Sequence, residues 1–233
     1  MAHRAVAGQL TLDIIAPAAR AGLPTIVPMS PVGGAGPFDD DEWFFEPWWP
    51  GAQAIVYVDG GRIRLQTDHM ADPNPAFREL GGIAGQFGAD RAIAHATLLV
   101  LDHDGRPDAE LLRRRLSGDD GAARLGFAAA VISDLLYLRG DSLLNSSFED
   151  RRAQLTRLVR DGDVCVVGRG LRTDGTTLAE AAAAMGMTEI SARRLSARYR
   201  PGVSDDGWRR LPVAEEAKAP SRPFLALLQR LPL

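Results

Sequence analysis

The order of hydrophobic and polar residues along the chain predicts a protein rich in β-strands. Residues 54–58 are apolar and β-favouring, Asp59-Gly60-Gly61 is typical of a tight turn, and residues 62–66 alternate between polar and apolar side chains. These three segments together predict a β-hairpin. Other apolar runs that predict strands are 92–101, 127–132, 135–138 and 164–167.

Helical spacing is confined to short segments. The predicted helices are 108–116, 148–159 with Ser147 as its N-cap, and 178–185 with Thr177 as its N-cap. Because the strands arrive as hairpins and the helices are short and irregularly spaced, the pattern predicts an antiparallel α+β domain and not a doubly wound parallel sheet.

Changes in composition divide the chain into three predicted parts. Residues 1–23 are rich in alanine and weakly patterned, which is typical of an N-terminal extension. Residues 24–213 carry the predicted strands and helices and form the predicted domain. Residues 214–233 are interpreted as a linker and a short tail, whose apolar end either docks a partner or packs on its own domain.

The overall composition is that of an ordinary globular protein. Of the 233 residues, 45% are hydrophobic and 24% are charged, and the formal net charge is −3. This balance argues against a uniformly basic nucleic-acid coat, and the single cysteine, Cys165, excludes an internal disulfide framework and a cysteine-rich zinc site. No apolar run reaches the roughly 18 residues of a membrane span, so we expect a cytoplasmic protein that does not contact membranes.

The basic residues change this picture, because nearly all of them are arginine. The chain has 26 arginines and one lysine, Lys218, which lies in the predicted tail. An arginine guanidinium stays protonated at any usable pH and does not replace a neutral amine as a nucleophile. The predicted domain therefore lacks the residue type that a lysine-based covalent mechanism requires.

Several blocks of the sequence together resemble a known family. The blocks are 37–51, 57–65, 99–108, 134–140, 149–152 and 192–208. In order and spacing they are similar to the nucleotidyltransferase (adenylation) domain of bacterial ATP-dependent DNA ligases, and the similarity covers residues 24–213. The resemblance implies the DNA ligase/mRNA-capping-type nucleotidyltransferase fold, with two antiparallel sheets flanked by short helices.

The resemblance also implies which residues the family reaction would need. In the family, a lysine in the motif Glu-Pro-Lys-x-Asp-Gly-x-Arg takes up AMP from ATP with the help of Mg²⁺, and the AMP then passes to a 5′-phosphate at a nick. In this chain the lysine position is Trp48, the aspartate position is Pro50 and the arginine position is Gln53, while Glu46 and Gly51 are kept. An indole offers no amine that could attack a phosphate.

Other positions of the implied nucleotide pocket are replaced as well. The family's Asp-Gly-Glu falls on Ala94-His95-Ala96, and its adenine-stacking aromatic falls on Ser133. Its Glu-Gly pair falls on Thr188-Glu189, although a one-residue shift would place Glu189 at the glutamate position. The predicted degenerate nucleotide pocket comprises Glu46, Trp48, Gly51, Ala94, Ala96, Ser133, Thr188, Glu189, Arg193 and Arg210.

This pattern of replacement predicts a ligase-like domain without catalytic residues. We expect no metal ligands and no cofactor, although the family would use ATP and Mg²⁺. The 20 residues after Val213 are also too few to form the OB-fold that follows this domain in active ligases. The adjacent Asp102, His103 and Asp104 are interpreted as a turn, since Asp-x-Asp-Gly is the ordinary composition of a turn.

The arginines of residues 188–213 suggest a contact with DNA phosphates. This stretch has six arginines against Glu189, Asp205 and Asp206, a local balance of +3, and Arg forms paired hydrogen bonds to phosphate. The candidate contacts are Arg193, Arg194, Arg198 and Arg200. The alternative is a solvated face of an arginine-rich protein.

The functional prediction is a ligase-like protein that is catalytically inactive and acts as a binding or accessory protein in DNA repair. Its partner would be DNA or a repair protein, and the sequence leaves the oligomeric state open. Two alternatives remain: an active ATP-dependent DNA ligase or nucleotidyltransferase with altered chemistry, and a nucleotide-sensing module.

Overall fold

The computed structural model describes residues 22–119 and 121–213, which form two β-sheets and a few helices. The strands are β1 (Ser30–Gly33), β2 (Asp39–Pro47), β3 (Ala52–Asp59), β4 (Arg62–Thr67), β5 (Arg91–Leu101), β6 (Phe127–Leu138), β7 (Asp141–Ser142), β8 (Cys165–Val167), β9 (Leu171–Asp174), β10 (Glu189–Arg194) and β11 (Ser204–Pro212). The α-helices are α1 (Ile83–Gln86), α2 (Ala109–Leu116), α3 (Phe148–Leu158) and α4 (Gly175–Ala184), and 3-10 helices cover Asn74–Gly82 and Ala122–Arg124. The predicted tail with Lys218, and most of the predicted N-terminal extension, lie outside the described residues, so the boundaries at 23 and 213 stay predictions.

The two sheets confirm the α+β class. The five-stranded sheet has the order β1-β11-β10-β2-β9, and the six-stranded sheet has the order β4-β3-β5-β6-β7 with β8 also paired to β6. Most neighbouring strands are antiparallel, as predicted, but β1 pairs with β11 and β8 pairs with β6 in parallel. The β6–β8 pair is parallel because α3 lies between them and carries the chain back across the sheet.

The predicted hairpin is present as β3 and β4, and the predicted strand over 92–101 is present as β5. The two strands predicted at 127–132 and 135–138 are instead the single strand β6. Polar Ser133 and Asp134 interrupt the apolar run but not the strand. Asp134 pairs with His95, and the register shift between His95 and Ala96 leaves Ser133 without a partner in β5. The side chains of Ser133 and Asp134 both accept hydrogen bonds from arginines.

The N-terminus of α4 differs from the prediction. The helix begins at Gly175, and the backbone N–H and the hydroxyl of Thr176 both donate to the carboxylate of Asp39 in β2. These hydrogen bonds lower the pKa of Asp39. Asp39 belongs to the acidic run 39–42, which forms the largely exposed start of β2. This run therefore also supplies a cap for α4, a helix that is distant from it in sequence.

The six-stranded sheet has two differently packed faces. One face lies against the 3-10 helix Asn74–Gly82 and helices α1, α2 and α3, with small and aliphatic side chains such as Ala94, Ala96 and Leu98. The other face lies against the five-stranded sheet and carries His95 and Thr97 from the same strand. Alternate residues of β5 thus belong to opposite sides of the sheet.

No helix within the described residues combines the length and the hydrophobicity that crossing a bilayer requires.

Candidate functional site

The candidate site lies between the two sheets and is built mainly by alternate residues of β10 and β11. The register pairs Arg193 with Trp208 and Ser191 with Arg210, and Ser191 also faces Glu46 of β2. Because side chains two residues apart in a strand share a face, all of these side chains lie on the same side of the five-stranded sheet. That side faces Ser133 and Thr97 of the six-stranded sheet.

Trp48 follows β2 and closes one edge of this space. Its backbone N–H donates to the carbonyl of Glu189 at 3.1 Å, which fixes the chain where the strand ends. Its ring centroid lies 6.3 Å from that of Trp208, and the guanidinium of Arg210 lies 5.3 Å from the Trp48 ring. Arg210 is held there by an ion pair of 2.8 Å with Glu189. The indole is therefore packed against its own fold.

The space that remains between these side chains is small. A cavity of about 20 Å³ is lined by Glu46, Pro47, Trp48, Trp49, Gln53, Thr97, Val131, Ser133, Gly168, Ser191, Arg193 and Trp208. This volume is sufficient for about one water molecule, whereas small-molecule sites usually measure about 300–1,000 Å³. An adenine nucleotide would enter only after Trp48 and Arg193 had moved.

A buried ionic network occupies the adjoining region. Arg151 donates twice to the carboxylate of Asp134, at 2.8 and 2.9 Å, and Arg193 donates to the same carboxylate at 3.0 Å. All three side chains are at most 6% exposed. Arg193 also donates to the hydroxyl of Ser133 at 3.1 Å and stacks on Trp208, with 4.0 Å between the guanidinium and the ring centroid.

Glu46 belongs to a second buried ion pair. Arg152 of α3 donates to its carboxylate at 3.0 Å and to the carbonyl of Gly168 at 2.6 Å, and the Arg152 guanidinium lies 4.0 Å from the ring of Phe44. Burial lowers the pKa of Arg152, and the charge of Glu46 opposes that effect. The glutamate that the family motif retains is thus tied to the helix α3.

His95 lies at the inner end of the site. Its Nδ1 is 3.0 Å from the hydroxyl of Tyr199, and its ring packs edge-on against Trp208. Complete burial, with a further contribution from the charge of Arg193, lowers the pKa of His95 to about 3. The histidine is therefore neutral at physiological pH and is hydrogen-bonded.

The structure brings part of the predicted nucleotide pocket together. Glu46, Trp48, Ser133 and Arg193 line the cavity, and Glu189 and Arg210 meet at the edge beside Trp48. Gly51 lies behind the cavity for a packing reason, because a Cβ at this position would lie 2.3 Å from the carbonyl oxygen of Leu98.

Three predicted pocket residues lie elsewhere. Ala94 and Ala96 are fully buried on the helix-covered face of the six-stranded sheet, because residues 94 and 96 alternate with His95. Thr188 is exposed before β10, where its carbonyl accepts a hydrogen bond from Val213. In this geometry a carboxylate at position 94 or 96 would point away from the cavity.

The four candidate phosphate-binding arginines have different environments. Arg193 is buried in the ionic network, whereas Arg194 pairs with Glu42 at 2.9 Å and Arg200 pairs with Asp205 at 3.1 Å, both at the surface. Arg198 is exposed and has no ionic partner among the described residues. Arg198 is therefore the candidate that is freely available for a phosphate.

Sequence reasoning missed several residues of the site. Trp208, Ser191 and Thr97 line the cavity. Asp134 pairs with Arg193 and is itself held by Arg151. The sequence did contain a signal for some of these residues. Ser191 and Arg193 are two residues apart, as are Trp208 and Arg210, so strands predicted at these two places would have put each pair on one face.

One group of potential metal ligands occurs outside this site in the described part of the chain. Asp102, His103 and Asp104 lie close enough together to share an ion. The Oδ1 of Asp102 accepts the backbone N–H groups of Asp104 and Arg106, and the group is largely exposed. This is the arrangement of an ordinary turn, as predicted.

The sequence of this chain is similar to those of known DNA ligases. The multifunctional non-homologous end joining protein LigD of Pseudomonas aeruginosa is 30% identical over 167 residues, which cover 71% of this chain and 19% of that protein. LigD of Mycobacterium tuberculosis is 29% identical over 167 residues, 72% of this chain and 21% of that protein. A DNA ligase of Thermococcus onnurineus is 25% identical over 183 residues, 74% of this chain and 32% of that protein. No protein-family model matches the chain.

Solved structures agree with these sequence relatives. The ligase domain of Mycobacterium tuberculosis LigD superimposes with a TM-score of 0.66 at 26% identity, over 79% of this chain and 58% of that domain. A mycobacterial DNA ligase D in complex with ATP gives a TM-score of 0.65 at 25% identity, over 80% of this chain and 60% of that structure. The chain is a homologue of ATP-dependent DNA ligase domains. It spans about a fifth of the length of the LigD proteins that it matches.

These relatives correct the prediction that no cofactor is expected. The mycobacterial ligase D was solved with ATP, and the structurally similar ligase of bacteriophage T7 is ATP-dependent and was solved with ATP as well. These related ligases thus bind ATP, and the prediction is wrong. The residues present in this chain do not fit ATP, because Trp48 and Arg193 line a cavity that has only the size of a water molecule. We derive no reaction step through ATP at this site.

Proposed function

We propose that the ligase-like chain is a non-catalytic member of its group that acts as a DNA-binding or accessory protein in DNA repair. The observation that carries this proposal is the packing of Trp48. The residue at the position of the family nucleophile has no amine and is enclosed by Trp208 and Arg210. The described residues contain no lysine that could replace it.

The surroundings of Trp48 support the same proposal. In a lysine-based mechanism, the pocket must offer a neutral amine and groups that stabilise charge on the transferring phosphate. Here the cationic groups nearest to Trp48 already have partners, because Arg193 is paired with Asp134 and Arg210 with Glu189. A transferring phosphate would therefore compete with Asp134 and Glu189 for these two cations.

The first experiment measures self-adenylylation. The full chain is incubated with α-labelled ATP and Mg²⁺ beside an intact LigD ligase domain, and covalent label is measured after denaturation. We expect label on the LigD domain and none on this chain. Label that survives denaturation on this chain would contradict the proposal, and its loss in Lys218→Ala would assign the nucleophile.

The second experiment restores the missing amine. The Trp48→Lys variant has an amine at this position. It still lacks the aspartate and the arginine of the family motif, because Pro50 and Gln53 stand at those positions. We expect the single variant to remain unlabelled. If it became labelled at a rate near that of LigD, the loss of activity would be a single-residue event and the remaining pocket would be competent.

The DNA-binding part of the proposal depends on the loop between β10 and β11. Arg198 is exposed and has no ionic partner within residues 22–119 and 121–213. Arg194 and Arg200 form surface ion pairs that contribute little to stability and can exchange for a phosphate at low cost. Such contacts are independent of base sequence, and their strength falls as salt concentration rises.

Fluorescence anisotropy with a nicked duplex tests this surface. We expect weak binding of the full chain, with Arg198→Ala reducing the slope of log affinity against log salt by about 1. Arg124→Ala is the matched control. Arg124 is also exposed, but it lies before the start of β6, whereas the β10–β11 loop lies near the other end of β6. Equal binding by both variants and the native chain would remove the loop from the proposed interface.

A further inference from the structure

The buried charges between α3 and the two sheets do not cancel. The carboxylates are Glu46 and Asp134, and the guanidinium groups are Arg151, Arg152 and Arg193. All five side chains are at most 8% exposed, and together they carry a net charge of +1. A buried charge without a counter-charge is costly, so an excess of this kind favours an additional negative partner.

Arg193 is the member of this cluster with unused hydrogen-bonding capacity. Its Nε is buried and has no hydrogen-bond partner among the described residues. In a guanidinium, Nε–H and Nη2 share one edge, and the Nη2 of Arg193 donates to Ser133. Ser133 and Arg193 both line the 20 Å³ cavity, so the edge with the free N–H faces the side of the cavity that Ser133 forms.

Two hydroxyl groups add further donors around the same cavity. The Ser191 oxygen accepts a hydrogen bond from the Trp208 indole at 2.8 Å, and the Thr97 oxygen accepts one from the Gln53 amide at 3.1 Å. Each oxygen is thus engaged as an acceptor, and its own proton is left to donate. Glu46 is the one acidic side chain in the lining, and Arg152 compensates its charge at 3.0 Å.

We propose that this cavity binds a single monatomic anion of the halide class, with chloride as the natural occupant. The anion accepts hydrogen bonds from Arg193 Nε and from the hydroxyls of Ser191 and Thr97, and it balances the excess buried charge. A volume of about 20 Å³ has room for about one water-sized group, and phosphate, sulfate and nucleotides are larger than that. The site is independent of the proposed function, since it requires neither DNA binding nor the loss of catalysis.

Thermal unfolding of the full chain at constant ionic strength tests the site, with sodium gluconate replaced stepwise by sodium chloride, bromide or sulfate. Chloride and bromide should raise Tm saturably, by about 5–10 °C at one hundred times Kd, because they bind only the folded state. Sulfate should give no saturable rise. A rise that follows ionic strength and does not depend on the anion would overturn the proposal.

Two variants locate the effect. Ser191→Ala and Thr97→Val each remove one hydroxyl donor, and each should weaken halide affinity about tenfold. Thr156→Val is the matched control, since the Thr156 hydroxyl bonds to the Ala153 carbonyl on an exposed part of α3. A halide effect that is unchanged in both cavity variants would show an adventitious surface ion only and would overturn the proposal.

A bromide soak of native crystals gives a result that does not depend on how the variants fold. Anomalous scattering should show one bromide within hydrogen-bonding distance of Arg193 Nε. Density there that has no anomalous signal would identify a water molecule and would overturn the halide assignment.

Discussion

The two faces of the six-stranded sheet are stabilised in different ways. On the helix-covered face, Ala94, Ala96 and Leu98 of β5 pack with other aliphatic residues, and non-directional burial supplies the stabilisation. On the face toward the five-stranded sheet, Leu99 and Leu101 of the same strand also pack in a hydrophobic cluster, but His95 and Thr97 meet a network of buried ions and hydrogen bonds. We call this second face the polar face, because its buried donors and acceptors bind one another.

This comparison shows that the two faces constrain the amino-acid sequence in different ways. The aliphatic face needs only residues of suitable volume and hydrophobicity. On the polar face, each buried donor and acceptor needs a specific partner, so the replaced residues must match as a set. Asp134, with Arg151 and Arg193 on its two oxygens, is the clearest instance.

The largest expected effect is on the polar face. Asp134→Asn removes the charge that both Arg151 and Arg193 face, which leaves two buried guanidinium groups without a counter-ion. We expect a loss of about 4 kcal/mol in the free energy of unfolding, measured by urea denaturation. Asp104→Asn is the control in an exposed turn and should cost less than about 1 kcal/mol. Similar losses for the two variants would mean that the network is not a principal source of stability.

A comparable loss is expected on the aliphatic face, for a different reason. Leu98→Ala leaves a cavity at a fully buried position and should cost about 3 kcal/mol by the same denaturation measurement. Thr97→Ser on the opposite side of β5 keeps the hydroxyl that accepts from Gln53, and it should cost less than about 1.5 kcal/mol. If Leu98→Ala cost no more than Thr97→Ser, tight packing would not distinguish the two faces.

A smaller effect on the polar face should depend on pH. The pKa of His95 is lowered to about 3 in the folded chain, against about 6.5 in the unfolded chain, so below pH 6.5 the unfolded chain binds the extra proton. Stability should therefore fall by about 2 kcal/mol between pH 6.5 and 4.5. Arg193 and Asp134 are the charges that act on this group, together with the hydroxyl of Tyr199.

Denaturation curves of His95→Gln across the same pH range check this interpretation. The variant should be less stable at pH 7, because the packing is disturbed, but its stability should depend less on pH between 6.5 and 4.5. An unchanged slope would assign the proton uptake to other groups.

The smallest effect is expected at the exposed edge of the site. Arg210→Gln removes the stacking on Trp48 and the ion pair with Glu189, whose side chains are partly exposed, so the expected loss is below about 1 kcal/mol. Tryptophan fluorescence should nevertheless change, because the environment of Trp48 changes. A loss as large as that of Asp134→Asn would show that Arg210 belongs to the buried network.

Local sequence determined most of the secondary structure of this protein. The hairpin β3–β4 follows from alternation and a glycine turn, and α3 follows from Ser147, whose hydroxyl accepts the N–H of Asp150 at 3.1 Å. The family resemblance predicts that Trp48 stands at the position of the nucleophile. These features depend on residues close together in the chain, which is why periodicity and motif order suffice to detect them.

Only the tertiary structure decided what the replaced residues do. Asp39 caps a helix 137 residues away, and Asp134 meets Arg193 across 59 residues, so no local pattern announces either contact. The backbone register of β5 placed Ala94 and Ala96 on the helix-covered side and His95 toward the other sheet. The physical reason is that hydrophobic periodicity specifies which face is buried, whereas the partner of a buried charge depends on the register and packing of strands distant in sequence.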